Sequence, residues 1–177
     1  NLKGKLKNMA HDKAYLEAEL RIEQARRLGS GELDLSFEWR ADGGKLTTLP
    51  KSLGQLTQLI SLDLSYNQLI TLPSWMGQLT QLQTLNLSNN QLWTLPISLG
   101  KLVQLYKLDI SFNRLSDLHE WIGKLSRLES LNISENRISL LPDGLGQLGQ
   151  LQELNLSENN LAALPETFGK LTKLKLL

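Results

Sequence analysis

Apolar residues along this chain keep two spacings in turn. Leu46, Leu49, Leu53, Leu56 and Leu59 fall three or four positions apart, and then Leu62 and Leu64 stand two apart with Asp63 between them. The second spacing is that of a strand, whose side chains alternate between faces, and it is short enough to predict only a few residues of strand. The pattern then restarts. Leu46, Leu69, Leu92, Leu115, Ile138 and Leu161 open successive units of 23 residues without a gap, the sixth stopping at Leu177. A fixed period of this length predicts a solenoid: one strand per unit, stacked into a parallel sheet with coils about 4.8 Å apart. An isolated unit cannot cover its own leucines, whereas stacking stabilises by roughly 1.5–3 kcal/mol for each Leu it fully buries.

The polar columns of the repeat have separate jobs. Asn67, Asn90, Asn113, Asn136 and Asn159 each follow a strand, where the chain turns inward. A carboxamide there can satisfy backbone groups that would otherwise be buried without partners, so an internal asparagine ladder is expected. Gly54, Gly77, Gly100, Gly123, Gly146 and Gly169 recur singly, which fits a positive φ or close backbone packing better than a phosphate cradle. Pro50, Pro73, Pro96, Pro142 and Pro165 set the bend toward the outer wall, with His119 in the same place in the fourth unit.

These columns read LxxLPxxLGxLxxLxxLxLSxNx, which resembles the leucine-rich repeat of the 23-residue kind over residues 46–177. Similar repeats occur in Scribble and Erbin, in plant intracellular Ras-group proteins and in bacterial Roco-type GTPase proteins. The resemblance implies an α/β architecture: a right-handed leucine-rich-repeat solenoid, curved, with a parallel β-sheet on the concave face and short or irregular helices on the convex face. Members of this family bind many unrelated partners, so the resemblance specifies the fold more closely than the function.

The remaining residues divide into two parts. Residues 1–29 read as a basic tail, Lys3, Lys5 and Lys7, followed by a capping helix over 12–28. Asp12 is placed to cap the helix and Gly29 to end it, while Ala18, Ile22 and Ala25 form a stripe at helical spacing. Glu17 with Arg21 and Glu23 with Arg27 are expected pairs on the wet side. Residues 30–45 read as a degenerate first repeat whose Leu33-Asp34-Leu35-Ser36 matches Leu62-Asp63-Leu64-Ser65, followed by an inserted loop carrying Trp39 and Arg40. Trp39 is either a binding anchor or a lid folded back over the helix, and both readings stand.

Composition removes several classes of function. With 19 basic and 18 acidic residues the net charge is +1, and the electrostatic footprint of a nucleic-acid binder is missing. There is no cysteine, hence no disulfide framework and no thiolate metal site. No apolar run is long enough to span a bilayer and no signal peptide is evident, so a cytoplasmic setting is expected. The first residue is Asn1 and the last unit is incomplete, which leads to the expectation of a piece of a longer protein. Leu176 and Leu177 fall at the next strand, where bare leucines would favour end-to-end self-association.

Side chains that alternate with the buried leucines should face the concave surface, in four columns headed by Glu32, Asp34, Ser36 and Phe37. The Asp/Asn and Ser columns hardly vary and read as scaffold. The fourth varies most: Phe37, Tyr66, Asn89, Phe112, Glu135, Glu158. Exposed aromatics on a sheet are interface candidates. The expected site is a protein or peptide ligand anchored by Tyr66 and Phe112, with Lys107, Arg114 and Arg137 near its charged groups and Glu135, Glu153 and Glu158 toward one end; Phe37 and Trp39 extend it at the other. The indoles of Trp75, Trp93 and Trp121 are expected to pack along the convex side as structure.

Catalysis finds little support. Asp34 and Asp63 should stand side by side, at a spacing a retaining glycosidase would use, yet they belong to a continuing surface column with no apolar cleft around it. His11 and His119 lie too far apart to share a metal. The reading is therefore a non-enzymatic interaction scaffold without a cofactor. The alternatives are the recognition region of a multidomain signalling enzyme, such as a Roco-type GTPase, and a pure spacer or oligomerisation element.

Overall fold

The computed structural model describes residues 2–37 and 44–175, with side chains from Lys13 onward. Trp39, Arg40, Leu176 and Leu177, on which the sequence placed a loop anchor and a sticky end, lie outside the described residues.

Six strands form one parallel sheet in chain order: β1 (Glu32–Asp34), β2 (Ser61–Asp63), β3 (Thr84–Asn86), β4 (Lys107–Asp109), β5 (Ser130–Asn132) and β6 (Glu153–Asn155). Leu33, Leu62, Leu85, Leu108, Leu131 and Leu154 lie in register along its inner side. All six are buried, and they join the spacer leucines in one continuous interior. Ser61 pairs with Thr84, 23 residues on, whereas Glu32 pairs with Ser61, 29 residues on; the first coil thus absorbs six extra residues without leaving the stack.

The convex side is built from five-residue 3-10 turns, the first Lys51–Gln55 and the last Glu166–Lys170. Each begins after a residue held near φ −60 to −73°, a value proline fixes by its ring; His119 reaches φ −73° without one. A five-residue 3-10 turn is narrower than an α-helix about 10–12 Å across, so it lets the convex sides of successive coils approach closely. The recurring glycines serve this closeness. None of them has a positive φ; a Cβ on Gly123 would lie 2.6 Å from the carbonyl oxygen of Gly144 in the next coil. Gly77 and Gly146 similarly face the carbonyls of Ser98 and Thr167. Of the two expectations for this column, close packing holds and positive φ does not.

Helix α1 runs Leu2–Leu28, not from Asp12. The chain passes through Asp12 as helix, and the segment of Lys3, Lys5 and Lys7 expected as tail is helical backbone; lysine, leucine, methionine and alanine all favour it. Its far end closes as expected. Gly29 takes φ +59°, the Ser30 amide donates to the Ala25 carbonyl at 2.9 Å and the Gly29 amide to Arg26 at 3.3 Å, a Schellman closure. Ala14, Ala18, Ile22 and Ala25 enter the solenoid interior. Arg21 donates to the Asp34 carbonyl and Ser52 to the Glu19 carboxylate, tying the helix to the first coil and the first 3-10 turn. The expected pairs form at 2.8 Å each, Glu17 with Arg21 and Glu23 with Arg27. Hydrogen bonds from Arg27 and then Arg26 hold the Glu23 carboxyl below the usual range.

Candidate functional site

The asparagine column is an internal ladder. Asn113 donates to the carbonyls of Leu87 (3.0 Å), Ile110 (3.1 Å) and Ser111 (3.1 Å), and its oxygen accepts from the Leu92 amide at 2.9 Å. Asn67, Asn90, Asn136 and Asn159 repeat the same four bonds on their own coils. A single carboxamide therefore knits two consecutive coils.

The Asp/Asn column works locally. Asp34, Asp63, Asn86, Asp109, Asn132 and Asn155 each accept, through Oδ1, the amide two residues on. Asn86 also donates to Asp63 at 3.0 Å, and Asn132 to Asp109 at 3.3 Å. The side-by-side Asp34 and Asp63 are thus turn-forming acceptors in a column of six.

The serine column was expected to be exposed, and on the four inner coils that expectation fails: Ser65, Ser88, Ser111 and Ser134 are buried, while Ser36 is partly buried and Ser157 exposed at the ends of the stack. The chain closes inward at this point, and the serine carbonyls accept amides from the preceding coil, as Ser88 does from Tyr66 and Ser134 from Phe112. Small side chains are what the corner admits.

The residue after each serine breaks the alternation. Tyr66, Asn89, Phe112, Glu135 and Glu158 have φ between 53 and 60°, the left-handed region. The inversion lets an inward asparagine follow while its predecessor stays outside, so this column stands on the rim where the chain leaves the sheet. Tyr66 is 45% and Phe112 50% exposed. L-residues other than Asn and Gly adopt this conformation at a cost of about 1–2 kcal/mol. Asn89 is suited to it; two aromatics and two glutamates are not.

The predicted partner-binding residues therefore occupy three surfaces. Lys107 and Glu153 lie on the sheet face, in β4 and β6. Tyr66, Phe112, Glu135 and Glu158 lie on the rim. Arg114 and Arg137 lie beyond it, on the flank that climbs from the sheet toward the 3-10 turns, both exposed. Phe37, at the start of the rim, is half-buried with the Lys45 ammonium 5.0 Å from its ring centre.

The middle of the sheet face holds a shallow cleft of about 330 Å³ bordered by Ser61, Thr84, Tyr106, Lys107 and Asp109. Tyr106, 42% exposed, borders this cleft and two neighbouring ones. Parity with Leu108 and Ile110 would send it inward. A bend before the strand turns it out, while its carbonyl accepts the amides of both Glu129 and Ser130. Its column (Ile60, Gln83, Tyr106, Glu129, Gln152, Lys175) is as varied as the rim, a signal that could have found it. Trp93 is a second miss. Trp121 is buried and Trp75 packs partly buried against the interior with its ring beside Gly54, as expected, but Trp93 is 58% exposed on the flank rather than packed on the convex side.

Among the described residues, no group of three or more His, Asp or Glu is placed to hold a metal ion, and no helix is long and apolar enough to cross a membrane. His119 lies 3.2 Å from Asp117.

Comparison with known proteins follows this geometry. A family model described as a leucine-rich repeat region matches residues 45–135, and a leucine rich repeat model matches 126–177. Among solved structures the chain is similar to an internalin from Listeria monocytogenes (27% identity, TM-score 0.69, covering 80% of this chain and 40% of that one). It is likewise similar to a leucine-rich repeat protein of Leptospira interrogans (29%, 0.62, 85% and 49%). A third is described as a TDR receptor (30%, 0.72, 81% and 25%). The chain spans between a quarter and half of the length of these structures. A comparison with curated protein sequences gives no match.

Proposed function

The chain belongs to the leucine-rich repeat family, and from that premise we propose that it is a non-enzymatic recognition module whose protein or peptide partner lies across the concave face. Leucine-rich repeat proteins commonly mediate protein–protein interaction. On this reading the partner sits over the central cleft beside Tyr106 and Lys107 and is gripped at the rim by Tyr66 and Phe112. Six rungs present roughly 25 Å of sheet, enough for an interface of standard size.

One observation carries this reading. The rim holds half-exposed aromatics in a backbone conformation that disfavours them, at positions where Asn89 shows that asparagine satisfies the fold. Stability does not account for Tyr66 and Phe112; contact with a partner does.

The test is affinity capture with the wild type, the Tyr66→Ala/Phe112→Ala double variant, Lys107→Glu, and Lys101→Glu as a convex control. Losing two aromatic anchors should weaken a specific partner at least about thirtyfold, and Lys107→Glu should weaken it further, while the control retains it. Recovery of every captured protein at wild-type levels by both concave variants would overturn the assignment.

A further inference from the structure

The flank beyond the rim is extended chain in which exposed and buried residues alternate. Tyr66, Gln68 and Ile70 face out while Asn67 and Leu69 face in, and the next coils repeat this. Neighbouring coils are hydrogen-bonded along it: the amides of Gln91, Trp93, Arg114 and Arg137 donate to the carbonyls of Leu69, Ile70, Leu92 and Leu115. The outward side chains therefore stand in columns with about 4.8 Å between rungs.

Two of these columns change character at the same step. One reads Ile70, Trp93, then Ser116, Ser139, Ala162; its neighbour reads Gln68, Gln91, then Arg114, Arg137, Asn160. An apolar pair on the coils of β2 and β3 thus abuts a guanidinium pair on the coils of β4 and β5. Ile70 is 53% and Trp93 58% exposed. Among the described residues, neither Arg114 nor Arg137 has an ion pair or a side-chain hydrogen bond. Two unpaired guanidiniums on adjacent rungs repel each other, and a carboxylate set between them relieves that repulsion with bidentate hydrogen bonds.

We propose that this flank is a second docking surface, separate from the concave face, for an extended acidic segment of a partner protein. Apolar side chains of the segment cover Ile70 and Trp93, and a carboxylate binds Arg114 and Arg137. Trp93 and Arg114 lie one rung and two residues apart, roughly 8 Å. An extended peptide repeats one face every about 6.7 Å, so the acid follows the last apolar residue by two positions. The strip is narrow and edged by acids, with Glu135 and Glu158 on the rim and Asp117 and Glu120 on the convex side, all exposed. A slender chain fits between these edges; an anionic membrane surface would be repelled by them.

Fluorescence anisotropy with labelled decapeptides on a Gly/Ser background tests this. The probe carries two leucines two positions apart and an Asp two positions later; its controls replace that Asp with Asn or move it four positions on. The wild type should bind the probe about tenfold more tightly than either control, and added salt should erase the difference. Arg114→Gln/Arg137→Gln should bind probe and Asn control equally, and Ile70→Ser/Trp93→Ser should lose at least about tenfold for both. Lys107→Glu, which alters the concave face, should change nothing, so this surface and the concave site fail separately. All five substituted residues are exposed, and a wild-type circular dichroism spectrum for each variant verifies its fold. Equal binding of probe and controls by wild type would overturn the proposal. So would phosphatidylserine-vesicle binding, or a concentration-dependent dimer, that replaces peptide binding and is abolished by Ile70→Ser/Trp93→Ser.

Discussion

Phe112 and Asn113 are neighbours in sequence and opposites in what holds them. Asn113 is buried and makes four hydrogen bonds that join two consecutive coils; Phe112 is half-exposed, hydrogen-bonded to the stack only through its backbone, in a conformation its side chain dislikes. The same contrast recurs at 66/67 and 135/136, while at 89/90 the outer residue is itself an asparagine and at 158/159 the ladder residue is only partly buried. The inner column never varies because each member answers the same set of backbone groups. The rim varies freely in side chain because the stack asks of it only a dihedral angle, which leaves its chemistry open to a partner.

Breaking the inner member should have the largest effect. Asn113→Ala removes the donor for the Leu87, Ile110 and Ser111 carbonyls and the acceptor for the Leu92 amide, inside a buried layer. At about 1–3 kcal/mol for each buried group left without a partner, partly relieved by relaxation, the loss should be about 3 kcal/mol or more. Urea denaturation of wild type and variant measures it. Because each coil leans only on its neighbours, a separate early transition for the coils after β4 is the expected form of the damage. Phe112→Ala, one residue away, should leave the curve nearly unmoved.

The convex side offers a second pair. Gly123→Ala places a methyl 2.6 Å from the Gly144 carbonyl oxygen and should cost about 1–3 kcal/mol as the coils spread. Gly149→Ala meets nothing within 4 Å and has no positive φ, so it should be neutral or stabilise by up to about 1 kcal/mol through the unfolded chain. Thermal midpoints of the two variants should fall on opposite sides of the wild type or, for Gly149→Ala, coincide with it.

Much of this was legible from spacing. A strict period leaves one way to bury Leu62, Leu85 and Leu108 together, and it placed the sheet, the asparagine ladder and the extra residues of the first coil before any coordinates. What escaped was local. Parity arguments carry a face assignment along a chain only while the backbone stays extended, and one left-handed residue at Tyr66 or Phe112 cancels them. That is why the rim reads as part of the sheet face, and the bend before β4 that turns Tyr106 out is just as invisible to parity. Trp93 was grouped with Trp75 and Trp121 by residue type, although it falls on a different column of the repeat. The start of α1 was hidden because no capping or breaking residue between Leu2 and Asp12 marks it strongly, and helix propensity carries the backbone through.

The smallest effect sharpens the comparison most. Glu135 has φ 54°, is exposed, and makes no side-chain hydrogen bond or ion pair among the described residues, so little contact is lost when it is replaced. Its amide and carbonyl bonds to Ser157 and Asn113 belong to the backbone and persist. Asparagine tolerates the left-handed region that glutamate resists, as Asn89 does on the coil of β3. Glu135→Asn should therefore stabilise the protein by roughly 0.5 kcal/mol, read as a small rise in the denaturation midpoint at unchanged slope. A gain here, beside a loss of about 3 kcal/mol at the adjoining ladder position, would mean that the rim is held back from its stability optimum. A loss would mean that the glutamate supports the stack, and the division between a structural inner column and a free outer one would fail at this coil.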